Sequence, residues 1–151
     1  MKISAKSRYA LHLMLALAMA GEGVNLSVKA VAESNAISEK YLEQIIPLLV
    51  RGGLVCSVRG ARGGYHLTKD PEDYTVGMIL RTVEGSIAPV SCLDDAVNQC
   101  ARCKECVTLS LWAQVDQAIS NVVDRVTLAD LVDKQRRIDA RHPKTAEKGN
   151  C

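Results

Sequence analysis

The sequence contains no phenylalanine, and its aromatic residues are limited to one tryptophan and four tyrosines among 151 residues. A core must therefore be built from Leu, Val, Ile, Ala and Met, which suits helices that pack on helices. Long apolar runs are also missing, because the N-terminal run at residues 13–20 is too short to span a bilayer. No small-residue cleavage site follows this run, so we expect a cytoplasmic protein that does not enter a membrane.

Motifs of common enzymes are absent as well. The sequence has no Ser-His-Asp set, no phosphate-binding Walker loop and no dinucleotide-binding fingerprint. His12 and His66 stand alone in the sequence, so each is predicted to be structural. We therefore predict that the protein is not an enzyme.

The net charge of +2 hides an uneven distribution. Residues 1–69 carry nine Lys or Arg and four acids, residues 70–135 carry five and eleven, and the remainder carries five and two. This bias indicates that the N-terminal half binds a polyanion. A charged surface that is merely solvated is the alternative.

Four of the six cysteines lie in one polar segment, residues 92–106, which we call the cysteine loop: Cys92, Cys100, Cys103 and Cys106. The last three have C-x2-C-x2-C spacing, so four thiolates could converge on one centre. Such sites favour an iron-sulfur cluster or zinc. The alternatives are a disulfide framework or buried thiols. Cys56, outside the loop, is predicted to be a packed thiol.

Apolar periodicity predicts helices at residues 4–20, 28–34 and 39–51, with Ser27 and Ser38 as N-caps of the second and third. Two short helices joined by a tight turn form a helix-turn-helix. Residues 54–58 and 65–68 then alternate as strands around a glycine-rich hairpin tip that carries Arg59 and Arg62. The order predicts a mainly α-helical winged helix-turn-helix with a two-stranded wing.

This arrangement suits DNA, because a helix fits the major groove and a glycine-rich wing can approach phosphates closely. The candidate DNA-binding residues are Ser38, Lys40, Tyr41, Glu43 and Gln44 on the third helix and Arg59 and Arg62 on the wing. Gln44 could pair with adenine and Glu43 could accept from cytosine. Alternatively, the two arginines only keep the edge of the hairpin soluble.

A helix over residues 107–124 has apolar residues at spacings of four, three and four: Leu111, Val115, Ala118 and Val122. We call these four residues the apolar seam. The seam predicts a partner helix and hence a homodimer, although it could instead pack within its own chain. Thr127 and Asp130 predict a capping box for a final helix.

The chain therefore divides into four predicted units. Residues 1–85 form the DNA-binding domain, and residues 86–106 include the cysteine loop. Residues 107–135 form the long C-terminal dimerisation helix and the final helix. Residues 136–151 are polar and basic and are predicted to be a flexible tail.

Five stretches resemble the IscR-type family of bacterial winged-helix regulators, which includes the nitric-oxide sensor NsrR and the cysteine-metabolism repressor CymR. The stretches are MKISAKSRYALHL, ISEKYLEQIIPLLVRGGLV, SVRGARGGYHL, CVTLSLW and VTLADLV, within residues 1–135. The resemblance implies a homodimeric transcription regulator, a repressor in our interpretation, that binds a double-stranded DNA operator. Family members of the sensing type hold an iron-sulfur cluster, which implies ligand roles for Cys92, Cys100 and Cys106.

The fourth ligand is not carried over by the resemblance. Leu109 stands where IscR has a histidine, and Arg8 stands where some relatives supply a carboxylate. Cys103 is an additional thiol and our candidate for the fourth ligand, in competition with Asp94, Asp95 or an external ligand. The cluster type stays open between [2Fe-2S] and [4Fe-4S].

The leading interpretation is a regulator whose operator binding responds to iron-sulfur, redox or nitric-oxide status. A zinc-stabilised transcription factor is the first alternative, because zinc binds the same thiolates. A ferredoxin-type electron carrier is the second. The carrier would leave the basic winged half without a role.

Overall fold

A computed structural model describes residues 3–143. This part of the chain contains the helices α1 (Ala5–Ala20), α2 (Val28–Asn35), α3 (Glu39–Arg51), α4 (Val76–Glu84), α5 (Leu109–Val123) and α6 (Leu128–Arg141). Two strands, β1 (Val55–Val58) and β2 (Gly64–Leu67), pair antiparallel as the wing. The predicted mainly α-helical winged fold is confirmed. No helix among the described residues is both long enough and apolar enough to cross a membrane.

Two of the three predicted N-cap side chains, Ser27 and Thr127, form capping hydrogen bonds. Ser27 accepts a hydrogen bond from the Ala30 amide at 3.1 Å, so it caps α2. Thr127 and Asp130 form the predicted capping box at the start of α6. Ser38 occupies the N-cap of α3, but its side chain makes no capping hydrogen bond.

The core is centred on α1, which contributes the buried residues Ala10, Leu13, Met14 and Leu17. The amphipathic inner face of α3 packs against it through Leu42, Ile45 and Leu49. Helix α6 returns to the same core and buries Leu128 and Val132. Helix α6 is therefore part of the core that supports the winged segment.

Tyr74 connects the wing to this core. Its fully buried hydroxyl donates to the Leu54 carbonyl oxygen at 3.0 Å and accepts from the Lys69 amide at 2.8 Å. Its own carbonyl accepts from the Leu128 amide at 2.9 Å. The start of α6 is thus hydrogen-bonded to the segment that precedes α4.

Two sequence-based expectations need correction. Helix α6 continues to Arg141, although a flexible tail was expected from residue 136. The extra turn has a side-chain bond between Gln135 and Asp139 at 2.9 Å, a helical i,i+4 pair. Cys56 is exposed instead of packed, because it lies on the outward face of an edge strand. The remaining tail, residues 144–151, lies outside the described residues, and the four-unit division stays a prediction.

Candidate nucleic-acid interface and cysteine loop

The outer face of α3 presents most of the predicted DNA-contacting residues to solvent. Lys40, Glu43 and Gln44 are exposed on one side of the helix, and Ser38 is exposed at its N-cap. The opposite side is buried, so the helix is held by its apolar face while its polar face stays accessible. This is the arrangement that a recognition helix requires.

Tyr41 differs from the other predicted residues of α3. Its ring is half-buried and stands edge-on to the ring of Tyr9, with centroids 5.2 Å apart. Edge-to-face pairs of this kind stabilise packing. The Tyr41 ring therefore contributes to the α1–α3 contact as well as bordering the exposed face.

The wing carries both predicted arginines on the turn between its strands. Val58 pairs with Gly64, so residues 59–63 form the turn, which we call the wing turn. Arg59 and Arg62 are exposed, and neither forms an ion pair with another residue of the described chain. Both guanidinium groups are therefore available to an anionic partner such as a DNA phosphate.

Helix α5 is held to the rest of the chain by one side only. Arg81 of α4 donates to the Asp124 carboxylate and to the Ser120 hydroxyl, at 2.6 Å and 3.3 Å for the shortest contacts. The apolar seam lies on the other side of α5, and no α5 residue is buried. Leu111 is 53% exposed and Val122 is 62% exposed. Ala118 is exposed as well and Val115 is half-buried, so most of the seam faces away from the rest of residues 3–143.

The four cysteines of the loop do not form one cluster in this conformation. Within residues 3–143, no three His, Cys, Asp or Glu side chains are grouped closely enough to hold a metal ion. Cys100 and Cys106 are exposed, while Cys92 and Cys103 are half-buried. The predicted convergence of four thiolates is thus not formed here. The physical reason is that the loop is polar and largely exposed, so few apolar contacts draw its thiols together.

Two features of the loop are nevertheless relevant to metal binding. Cys92 and Cys100 line a common open cavity of about 290 Å³. A hydrogen bond with the Thr108 hydroxyl lowers the pKa of the Cys106 thiol, which favours the thiolate. Soft thiolates are the ligands that iron-sulfur clusters and zinc prefer. The set of donors therefore fits such a group, although the loop would have to close around it.

Comparison with known families identifies the class of protein to which this chain belongs. Residues 3–134 match the Rrf2 family, described as iron-dependent transcriptional regulators. The chain belongs to the Rrf2 family. The IscR-type resemblance inferred from the five sequence stretches is confirmed, since CymR and IscR proteins are among its relatives.

Two relatives align with this Rrf2-family chain over most of their length. CymR of Bacillus subtilis is 44% identical over 132 residues, which cover 87% of this chain and 89% of CymR. IscR of Serratia proteamaculans is 35% identical over 135 residues, or 89% and 81% of the two chains.

Solved structures give the same result. The structure of CymR, the global cysteine regulator of B. subtilis, has a TM-score of 0.73 at 39% identity and covers 89% of this chain and 98% of CymR. IscR of T. potens has a TM-score of 0.74 at 38% identity, with 91% and 90% coverage. The Rrf2-family chain is therefore a DNA-binding transcription regulator, and its relatives are regulators, not enzymes.

Sequence reasoning missed three residues that the structure places at these elements. Asn25 reaches the wing turn through a side-chain hydrogen bond, and Arg81 and Asp124 join α4 to α5. These contacts link residues at least 37 positions apart in the chain. No local periodicity or spacing signals such pairs.

Proposed function

We propose that this Rrf2-family regulator acts as a homodimeric repressor in the cytoplasm and that an iron-sulfur cluster on the cysteine loop controls its operator binding. The observation that carries the proposal is the grouping of four cysteines in one loop between the DNA-binding segment and α5. The cytoplasm keeps such thiols reduced. The family's iron-dependent description agrees with this choice.

For operator binding, we propose that α3 enters the major groove while the wing contacts the backbone or the adjacent minor groove. The residues assigned to α3 are Ser38, Lys40, Tyr41, Glu43 and Gln44, and those assigned to the wing are Arg59 and Arg62. Their exposure supports the assignment, apart from the half-buried Tyr41. Gln44 and Glu43 carry base-reading groups, whereas the arginines suit phosphates.

A second copy of the chain is the proposed occupant of the apolar seam. The side of α5 that faces its own chain carries Ser120 and Asp124, so the seam is left for a partner helix. Pairing of two such helices would bury Leu111 and Val122. A two-fold dimer also matches an operator with two half-sites.

Cys92, Cys100 and Cys106 would hold the cluster, with Cys103 as the proposed fourth ligand. When bound, a cluster supplies a redox-active group whose potential depends on its protein environment. The chain itself supplies the coupling. Ile87, upstream of the cysteine loop, is buried, and Thr108, just downstream of the loop, is the N-cap of α5. Closure of the loop would therefore fix the start of α5 relative to α4.

The two alternatives are weighed by the same observations. Zinc is bound by the same thiolates and remains the competing cofactor. Kinship with transcription regulators favours a regulator over an electron carrier. CymR, a relative, is called a global cysteine regulator, so iron is not the only signal to test.

The test is anaerobic purification followed by visible absorption, iron and sulfide analysis, and zinc analysis. We expect a coloured protein whose operator affinity changes when the cluster is removed. Cys100→Ser should lose the cluster, and Cys103→Ser should lose it if Cys103 is the fourth ligand. Cys56→Ser, which changes an exposed thiol outside the loop, is the control. Colourless, zinc-containing protein would contradict the cluster, and full iron content in Cys103→Ser would place the fourth ligand elsewhere.

A further inference from the structure

The Asn25 side chain connects the segment after α1 to the wing. Its amide nitrogen Nδ2 lies 3.1 Å from the carbonyl oxygen of Arg62, and its Oδ1 lies 2.9 Å from Nδ1 of His66. A carbonyl oxygen can only accept, so Nδ2 must face Arg62 and Oδ1 must face His66. His66 therefore donates through Nδ1–H. The Asn25 amide therefore binds two parts of the wing, because its nitrogen contacts the wing turn and its oxygen contacts strand β2.

The strands of the wing have a second attachment, but the wing turn does not share it. Leu26 and Tyr65 exchange two backbone hydrogen bonds, at 3.0 Å and 2.9 Å. The backbones approach so closely that a Cβ on Gly64 would lie 2.6 Å from the Leu26 carbonyl oxygen. This attachment holds β2 at its first residues. The attachment does not extend to the wing turn, residues 59–63.

The wing turn itself has little packing behind it. One open cavity of about 540 Å³ separates the wing from the end of α1, and another of about 560 Å³ lies between the wing turn and the start of α2. Asn25 lines both cavities. Within residues 3–143, only the hydrogen bond from Asn25 joins the wing turn to a residue outside the hairpin.

We propose that Asn25 is a positioning residue for DNA binding, which holds the wing turn so that Arg62 is presented to the DNA. The inference rests on the proposed contact between Arg62 and DNA. A turn containing Gly60 and Gly63 loses much conformational entropy when it is ordered on DNA. Asn25 restricts the turn beforehand, so less entropy is lost on binding. The residue acts through Arg62 and does not itself touch DNA.

The test is a double-mutant cycle on the full-length regulator with its operator, using Asn25→Ala, Arg62→Ala and the double variant. Arg62→Ala should lower the slope of log affinity against log salt by roughly 0.9 for one lost phosphate contact. Asn25→Ala alone should weaken binding by roughly fivefold. In the Arg62→Ala background it should have almost no further effect, because the positioned side chain is already missing. Val24→Ala, an exposed neighbour, is the control and should not change affinity.

A measurement without DNA separates failure of this inference from failure of the proposed function. Asn25→Ala should speed amide hydrogen exchange in residues 59–63 while the melting temperature stays near that of the parent. Asn25→Asp keeps the acceptor to His66 but loses the donor to Arg62, so it should speed the same exchange. If Arg62→Ala binds DNA like the parent, the proposed contact of Arg62 is wrong. Unchanged exchange in both Asn25 variants, or equal losses of affinity in both backgrounds, would overturn the role of Asn25.

Discussion

Arg81 and Asp124 form a two-pronged ion pair, with Nη1 2.6 Å from Oδ1 and Nη2 3.0 Å from Oδ2. The pair joins α4 to the C-terminal end of α5, and it raises the pKa of Arg81 and lowers that of Asp124. Gly77 permits the approach, because a Cβ there would clash with Oδ1 of Asp124. The DNA-binding segment and the proposed dimer helix are thus connected at this point.

Replacing Arg81 by alanine should free the end of α5 with only a small loss of stability. The pair is about 40% exposed on both sides, so its contribution to the free energy of unfolding is about 1 kcal/mol or less. Amide exchange in the C-terminal turns of α5 should become faster. Arg81→Lys should restore it only in part, because lysine lacks the two-pronged geometry. Lys29→Ala, in an exposed pair at 4.0 Å, is the control. Unchanged exchange in Arg81→Ala would show that the pair does not hold α5.

Placing a charge on the apolar seam should dissociate the proposed dimer. Val122→Asp would bury an unpaired carboxylate between two α5 helices, at a cost of several kcal/mol. Sedimentation should then report a monomer, and operator affinity should fall because one monomer reads one half-site. Gln117→Asp introduces the same charge on a different side of α5 and should remain dimeric. A dimeric Val122→Asp variant would refute the proposed interface.

The recognition helix and the wing should respond differently to mutation. Gln44→Ala should reduce discrimination at one base position by about 1–3 kcal/mol and leave the salt dependence unchanged. Arg59→Ala should weaken binding to all sequences similarly and lower the salt slope by roughly 0.9. Affinity measured on the operator and on a single-base variant, each at several salt concentrations, separates the two effects. Identical behaviour of both variants would contradict the separate roles assigned to α3 and the wing.

Glu84 should make the stability of the fold depend on pH. Hydroxyl groups of Ser4 and Ser7 donate to its carboxylate and lower the pKa of Glu84. Its contribution is therefore present above the pKa of an unfolded glutamate and is lost as pH falls through the lower, folded value. Glu84→Gln should reduce the free energy of unfolding by about 1 kcal/mol at neutral pH.

The parent protein and the Glu84→Gln variant should become equally stable in acid, where Glu84 is protonated. Urea denaturation at a series of pH values measures this convergence. Glu72→Gln changes an exposed carboxylate without such partners and should follow the parent at every pH. A constant difference between Glu84→Gln and the parent down to low pH would argue against the role of the ionised carboxylate.

Local signals in the sequence determined most of the fold. Ser27 and Thr127 cap helices because a hydroxyl reaches an amide three residues ahead, and this interaction needs no other part of the chain. The hairpin follows from alternating apolar residues around glycines. The four neighbouring cysteines and the polar outer face of α3 are likewise visible in the sequence, because spacing alone defines them.

The tertiary structure alone decided which of these residues meet. The hydrogen bonds between Asn25 and Arg62 and between Arg81 and Asp124 can form only after α1, α4 and the wing have packed together. The Tyr41 ring is half-buried against Tyr9, although helical spacing had grouped it with the exposed residues of α3. The cysteine loop is compact in sequence, yet within residues 3–143 it brings no three of its thiols together. A polar, exposed loop gains too little from apolar burial to offset the entropy of ordering, so sequence proximity did not become spatial convergence.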